Sequence, residues 1–564
     1  MEQIHKSKIF TFTLTIFTFF IASMSSALAQ TATAPESSGD STGLFLVGMI
    51  ATVLAVFLFI MFIMSDKIIK MATQASNPNS NTFGEGTGFS LFPSKKELVT
   101  VENESENLSS RYVKLKKGVN IDLAGEADLV FDSQTIIVSD THAIKPTDFH
   151  GMSSIPKVMV EVGTEVKAGE NIMFDKKRPD VFYSAPVSGE VVEIRRGEKR
   201  AIHEVVILAD KEVKYKQFET ANFADLDRDK MVELLLSSGC WPFLVQRPFG
   251  VVAEPTDSPK AIFISTFSSA PLAPNYNFTL KGEDRNFQAG LDALNKLTDG
   301  KVHLGLDSTA ENDNTFTDAQ GVQINYFKGK HPVGNVGVQI HHIDPINKDE
   351  IVWTINPEDV ATIGRLMLEG IYKPIRNVAL TGSVVNEPKY FRTLLGANLK
   401  NIVDGNCESD EDLRYISGNA LNGTQVLPDG YLGFFDNQIT VMNEGNKYEM
   451  LGWILPSYPR PSTSPTFLTH LLPGIHGKIE ANANTHGEKR ALVVTGQFEE
   501  VLPMDIYPNH LIKAIIVNDF DGMEGLGIYE VIEEDIAVCE FVDTSKNDLT
   551  GILRTGLDAI REQG

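Results

Sequence analysis

The sequence predicts a multidomain α+β protein preceded by one or two membrane helices. Three observations lead to this. Residues 162–169 and 185–191 are two short apolar runs punctuated by glycine, the pattern of a β barrel assembled from two halves. From about residue 217 strand-like and helix-like periodicities alternate, which predicts an α/β layer followed by a mixed domain. Leu549, Ile552, Leu553, Leu557 and Ile560 recur at helical spacing, so the chain closes on an amphipathic helix. With 564 residues the chain exceeds what one hydrophobic core supports, and three or four domains are expected.

The N-terminal segments come first. His5, Lys6 and Lys8 precede an apolar run over 9–22, and Ala27-Leu28-Ala29 has the small-x-small form of a signal-peptidase site. Residues 1–29 therefore form a signal peptide or a first hydrophobic helix. Residues 43–64 carry no charge and, at ~1.5 Å rise per residue, reach across a ~30 Å hydrocarbon core. Glu36 and Asp40 precede this run, whereas Lys67 and Lys70 follow it, so the C-terminal body is expected in the cytoplasm behind a single-pass or hairpin anchor. Residues 72–111 are polar and aperiodic, which reads as a flexible linker containing the Gly84, Gly86 and Gly88 cluster.

Residues 112–216 are expected to be a barrel-sandwich β domain, since residues 162–169 and 185–191 resemble the two halves of a biotinyl/lipoyl carrier. Between them the hairpin tip reads Phe174-Asp175-Lys176-Lys177-Arg178-Pro179-Asp180, with no lysine flanked by methionines. The barrel is expected as architecture without a swinging arm. Residues 217–375 are read as an α/β domain: a helix over 229–236 ended by Gly239, a strand over 261–265, a helix over 286–297, strands over 302–305 and 336–340, and a helix over 359–368. Residues 376–500 are read as a compact mixed domain with strands over 377–385 and 431–441. Residues 501–564 form a C-terminal helical region, with helical pattern over 528–561.

A net charge of −24 argues against nucleic acid as a partner, because phosphate binding needs clustered Lys and Arg. Cys240, Cys407 and Cys539 are isolated, so neither a disulfide framework nor a local thiolate cluster is expected.

The succession Val113-Lys114-Leu115-Lys116-Lys117-Gly118-Val119-Asn120-Ile121, Gly151-Met152, Arg247-Pro248-Phe249, Val352-Trp353, Leu395-Gly396-Ala397 and Glu533-Glu534-Asp535-Ile536-Ala537 resembles the A-subunit family of the sodium-translocating NADH:quinone reductases. The resemblance spans residues 112–564. It implies a Rossmann-like layer over 217–375, a ubiquitin-like β-grasp domain of the soluble-ligand-binding type over 376–500, and a complex that oxidises NADH, reduces quinone and pumps sodium ions. It further implies the B to F subunits as partners, above all the membrane-embedded B subunit, together with quinone and membrane lipid at the bacterial inner membrane. NADH, FAD, FMN, riboflavin and iron–sulfur centres are expected on the other subunits, and no tightly bound cofactor on this one. The first 110 residues depart from the family, whose members ordinarily begin near the equivalent of Tyr112. A purely structural platform and the C subunit of the related Rnf complex are the alternatives.

No catalytic residue, cofactor ligand or metal site is assigned. Ser238-Gly239-Cys240-Trp241-Pro242-Phe243-Leu244-Val245 puts bulky groups where a phosphate-cradling loop needs open backbone. His341 and His342, read as strand neighbours, point to opposite faces and do not converge on one ion. Asp349-Glu350 and Glu533-Glu534-Asp535 are read as solvated charges at helix starts. Gly522, Gly525 and Gly527 are read as turns, and Cys539 as a buried apolar residue. Phe149, His150 and Met152 are the quinone-proximal candidates: an aromatic and a thioether line a headgroup slot, and an imidazole offers a hydrogen bond to a carbonyl. The competing reading of the same segment is a loop packed on the barrel.

Overall fold

The computed structural model describes residues 99–101, 110–219, 226–447 and 478–563. The signal-like segment, the apolar run over 43–64 and most of the linker lie outside the described residues. Among the described residues no helix is long and apolar enough to cross a membrane.

Strands β1 (Val99–Val101) and β2 (Arg111–Leu115) pair antiparallel before the chain enters the barrel. There β3 (Thr141–Ile144), β4 (Lys157–Val158), β5 (Glu165–Val166), β6 (Asn171–Asp175), β7 (Arg178–Ser184), β8 (Gly189–Arg196) and β9 (Ile202–Ala209) form two facing sheets, β3-β9-β8-β5 and β4-β6-β7. Ile172, Val181, Val191, Val205 and Ile207 fill the space between them with no solvent exposure. The hairpin tip is fixed. Asp175, fully buried, accepts the backbone N–H of Lys177 at 3.1 Å, and Arg178 donates to the carbonyl of Val252 at 2.7 Å in the next domain. The turn that carries the lysine in a carrier barrel is thus pinned here.

Helix α1 (Arg228–Ser238) starts where the Asp227 carboxylate accepts the N–H of Lys230 and ends at Gly239. Next come β10 (Val245–Arg247), β11 (Val251–Val252), β12 (Ala261–Ser265), α2 (Asp284–Leu294), β13 (Lys301–Asp307), β14 (Gln323–Lys328), α3 (Val336–Ile343), β15 (Val352–Thr354) and α4 (Pro357–Glu369). The sheet runs β1-β2-β14-β13-β12-β15-β10-β11, with β2, β14, β13, β12 and β15 mutually parallel. Successive residues of β12 serve opposite cores. Ile262 and Ile264 pack with Leu291 of α2 and Leu366 of α4, whereas Ala261 and Phe263 pack with Val338 of α3 and the C-terminal helices. From β12 the chain advances through β13 to β14, then returns to lay β15 on the other side of β12. That reversal opens a crevice beyond the carboxyl ends of β12 and β15.

Residues 336–340 are helical, not the expected strand. The Val-x-Val-x-Ile alternation reflects burial on every side, since Gly337, Val338, Gln339 and Ile340 are all inaccessible between the sheet and the C-terminal helices. Periodicity does not separate strand from helix in so short an apolar run.

A second mixed sheet comprises β16 (Ile375–Thr381), β17 (Tyr390–Leu394), β18 (Leu413–Ser417), β19 (Thr424–Val426) and β20 (Gln438–Asn443), in the order β17-β16-β20-β18-β19. Its first and last strands lie parallel at the centre, and every other pair is antiparallel. Finally α5 (Pro508–Ile516), α6 (Glu533–Val542) and α7 (Leu549–Gln563) cover the sheet face that carries α3. The helical pattern over 528–561 breaks between α6 and α7, because the Asp543 carboxylate takes the backbone N–H groups of Ser545 and Asn547 at 2.9 Å each. Leu549, Leu553 and Leu557 are fully buried, as their spacing requires.

Candidate functional site

The crevice at the β12/β15 reversal is a cavity of about 350 Å³ to which every part of the body contributes. The barrel supplies Asp148, Phe149 and His150 from the loop after β3. The α/β domain supplies Phe243, Arg247, Ser265, His331 and the residues opening α3 and α4. Phe435 comes from the second sheet's domain and Glu534 from α6.

Phe149 is 3% exposed and forms one wall, its ring centroid 4.4 Å from Tyr183 and 4.7 Å from Phe434. His150 keeps 49% of its side-chain surface, with Nε2 3.6 Å from the Glu533 carboxylate. Burial lowers its pKa, and Glu533 opposes that. Gly151, at φ 73°, leaves room for the Arg561 guanidinium of α7, which an added Cβ would strike. Met152 sits apart from the other two candidates: it packs against the barrel core and does not line the cavity. The segment is therefore divided, Phe149 and His150 facing the cavity and Met152 serving the fold.

Glu533, Glu534 and Asp535 do open a helix, but they are not the solvated charges expected. Arg247, 1% exposed, donates from Nη1 to Asp535 Oδ2 at 2.7 Å and from Nη2 to Glu534. Glu533 pairs with Arg554 of α7, whose Nη2 lies 2.8 Å away. Asp535 has no solvent exposure and also accepts the N–H of Ile532 at 3.2 Å. Arg247 and Asp535 lie directly on the first turn of α3, where a Cβ at Gly337 would collide with both. An acidic side chain of the protein itself therefore packs beside the positive end of that helix. Glu534 is left facing the cavity with 32% of its side-chain surface. Burial pushes its carboxyl up to about 7 against the pull of Arg247, and the neighbouring Asp535 and Glu533 push the same way.

His331 is 3% exposed, with Nδ1 3.1 Å from Ser269 Oγ, and its Nε2 has no hydrogen-bond partner among the described residues. Burial lowers its pKa to about 4, so the ring is neutral at pH 7. Asp148, from the barrel loop, is pushed up to about 6 by burial, against the pull of Lys145. Sequence reasoning passed over Arg247, His331 and Glu534 as site residues. The only signal for Arg247 was its place in a quoted motif, and none of the three stands near another in sequence.

The 238–245 segment is packed with side chains: Trp241 and Phe243 are at most 1% exposed, and Trp241 Nε1 donates to the carbonyl of Ala253 at 2.8 Å. Cys539 is fully buried. Gly522 and Gly525 lie in a short helix, Phe520–Gly525, rather than in turns, and Gly527 follows it at φ 93°. His341 and His342 lie on α3, not on a strand, yet they still diverge. His341 Nδ1 meets Glu530 at 2.5 Å, and His342 Nε2 meets the carbonyl of Pro503 at 2.8 Å, so both rings tie α3 to the C-terminal region.

Three domain families match in series: the NqrA N-terminal barrel-sandwich hybrid domain over 113–210, the NqrA second alpha/beta domain over 226–372, and the NQRA C-terminal domain over 377–427. The A subunit of the Na(+)-translocating NADH-quinone reductase from Serratia proteamaculans is 37% identical over 458 residues, which is 80% of this chain and 100% of that protein. This chain belongs to that A-subunit family. The corresponding protein of Neisseria meningitidis serogroup B is 37% identical over 461 residues and that of Vibrio parahaemolyticus 35% over 456, each again covered in full. The family's three domains thus coincide with the barrel, the parallel sheet and the second mixed sheet, and the cavity lies where the three meet.

Proposed function

We infer that the chain acts in a complex that oxidises NADH, reduces quinone and moves sodium ions outward across the bacterial inner membrane, and that its cavity receives the quinone headgroup. The observation that carries this reading is His331, a neutral imidazole whose buried Nε2 is unpartnered in an aromatic-walled cavity of about 350 Å³. A cavity of that size suits one substituted ring, and an unpartnered buried ring nitrogen suits one carbonyl oxygen. Phe149 and Phe435 offer ring faces, and His150 stands half exposed at the edge.

Charge favours a neutral ligand over a nucleotide. A phosphate at the first turn of α3 would lie near the Asp535 carboxylate, which packs against Gly337 there. Ser238 to Val245 offers no open backbone for one either. On this reading the chain holds no redox cofactor tightly, and NADH, FAD, FMN, riboflavin and iron–sulfur centres belong to the B to F subunits. The strand orders support a Rossmann-like reading of the parallel sheet and a β-grasp reading of the second one. The body faces the cytoplasm and meets the membrane-embedded B subunit, together with membrane lipid, with residues 43–64 as an anchor. Titration of the full chain in detergent with the short-chain quinone ubiquinone-1 tests the reading. Saturable binding at one site, weakened about tenfold in His331→Ala, is expected; absence of saturable binding would refute it.

A further inference from the structure

Reduction of a quinone to a quinol needs two protons as well as two electrons, and one side chain in the cavity is placed to give one. Resting on the quinone reading above, we propose that Glu534 is the acid that protonates a headgroup oxygen as the quinone is reduced.

The geometry isolates this carboxyl from its neighbours. One guanidinium, the buried Arg247, faces two carboxyl groups, the buried Asp535 and the part-exposed Glu534. Asp535 has no solvent exposure and is absent from the cavity lining; its Oδ2 takes both Arg247 and the N–H of Ile532, and its Oδ1 is buried without a hydrogen-bond partner among the described residues. Glu533, beside it, is committed to Arg554, whose charge lowers its pKa despite burial. Of the three carboxyl groups Glu534 alone lines the cavity, and at 32% it keeps more side-chain surface than Glu533 at 19% or the buried Asp535. Arg247 alone does not compensate two anions, so Glu534 retains its proton to about pH 7, where an acid both holds a proton and releases it readily.

The other titratable groups around the cavity are less suited. His331, ahead of α3, is neutral at pH 7 and serves as a hydrogen-bonding partner rather than an acid. His150 and Asp148 come from the barrel loop; the first is half solvated and lowered in pKa, and the second is held by Lys145 and by the N–H of Phe434 at 2.8 Å.

The step balances. Two electrons from the complex's oxidation of NADH enter the ring. The Glu534 O–H bond breaks as an O–H bond forms on one quinone oxygen, and the second oxygen takes its proton from solvent. The carboxylate left behind faces Arg247, whose charge stabilises it until water at the cavity mouth returns a proton.

The test uses the assembled complex, with Glu534→Gln, which keeps the size and the acceptor oxygen facing Arg247. Ubiquinone-1 affinity, turnover per assembled complex and the pH dependence of turnover are measured together. The expected result is affinity within about threefold of wild type, turnover lowered about 100-fold, and loss of the wild-type decline in turnover as pH rises through about 7. Glu534→Asp, which keeps the acid, should retain a pH-dependent decline at intermediate turnover. Unchanged turnover and an unchanged pH profile in Glu534→Gln, with quinone still bound, would overturn the proton role and leave the quinone site standing. Failure of ubiquinone-1 to bind this cavity in the wild type would remove the site and the proton role together.

Discussion

Arg247 and Asp535 stand 288 residues apart in sequence and 2.7 Å apart in space, both almost without solvent exposure. Their contact joins the end of β10 to the start of α6 and packs against Gly337 in the first turn of α3. A buried pair of this kind contributes little over an apolar replacement of both partners, but removal of one partner strands the other charge. Arg247→Met is therefore expected to cost about 3 to 5 kcal/mol of stability. Chemical denaturation of the chain measures it, and a cost under about 1 kcal/mol would show that the pair does not organise the fold.

Gly337 makes that contact possible. Its missing side chain is the space in which the guanidinium and the carboxylate sit. Gly337→Ala should destabilise by about 1 to 3 kcal/mol through overpacking. The same change in Arg247→Met should add much less, because the collision is already relieved, and a double-mutant cycle reads that coupling directly.

Phe149 is a wall of the cavity and also part of the aromatic cluster with Tyr183 and Phe434. Phe149→Ala is expected to lose about 3 to 5 kcal/mol of stability. Phe149→Leu should retain most of the packing while weakening ubiquinone-1 about tenfold. Equal affinity in Phe149→Leu and wild type would take Phe149 out of the ligand's contacts.

Burial lowers the pKa of His142, His303 and His331 to about 4 each. In the unfolded chain they take up protons near pH 6.5, so between about 6.5 and 4 the unfolded state binds more protons than the native state. Their stabilising contribution is complete above pH 6.5 and falls away as pH drops toward 4. His303→Asn keeps an acceptor for the Asn325 side chain, 3.3 Å from His303 Nδ1, and should flatten part of that decline. Thermal unfolding from pH 7.5 to 4.5 checks the sign. A slope as steep as in wild type would contradict it.

Much of the fold is written locally. Leu549, Leu553 and Leu557 announce a buried helical stripe, and the apolar run over 261–265 announces β12, because in each case the periodicity is set by the residue's own element. The strand expected over 336–340 fails for the opposite reason: residues 337–340 are buried between the sheet and the C-terminal helices, and burial on all sides erases the period. The site was legible only where one segment supplies it, at Phe149 and His150. Met152 sits two residues on yet turns into the barrel. Arg247, His331 and Glu534 meet only through the return of β15 beside β12 and the placing of α6 over α3. The charges at 533–535 look solvated in sequence because their partners, Arg247 and Arg554, lie elsewhere in the chain.

The central claim is that quinone enters the cavity between the carboxyl ends of β12 and β15. Photoaffinity labelling of the assembled complex with an azidoquinone, with labelled peptides mapped by mass spectrometry, tests it most directly. The expected label falls on the segments around Phe149, Ser265, His331 and Ile355, and excess ubiquinone-1 suppresses it. Saturable labelling confined to other subunits, with these segments unlabelled, would contradict the claim.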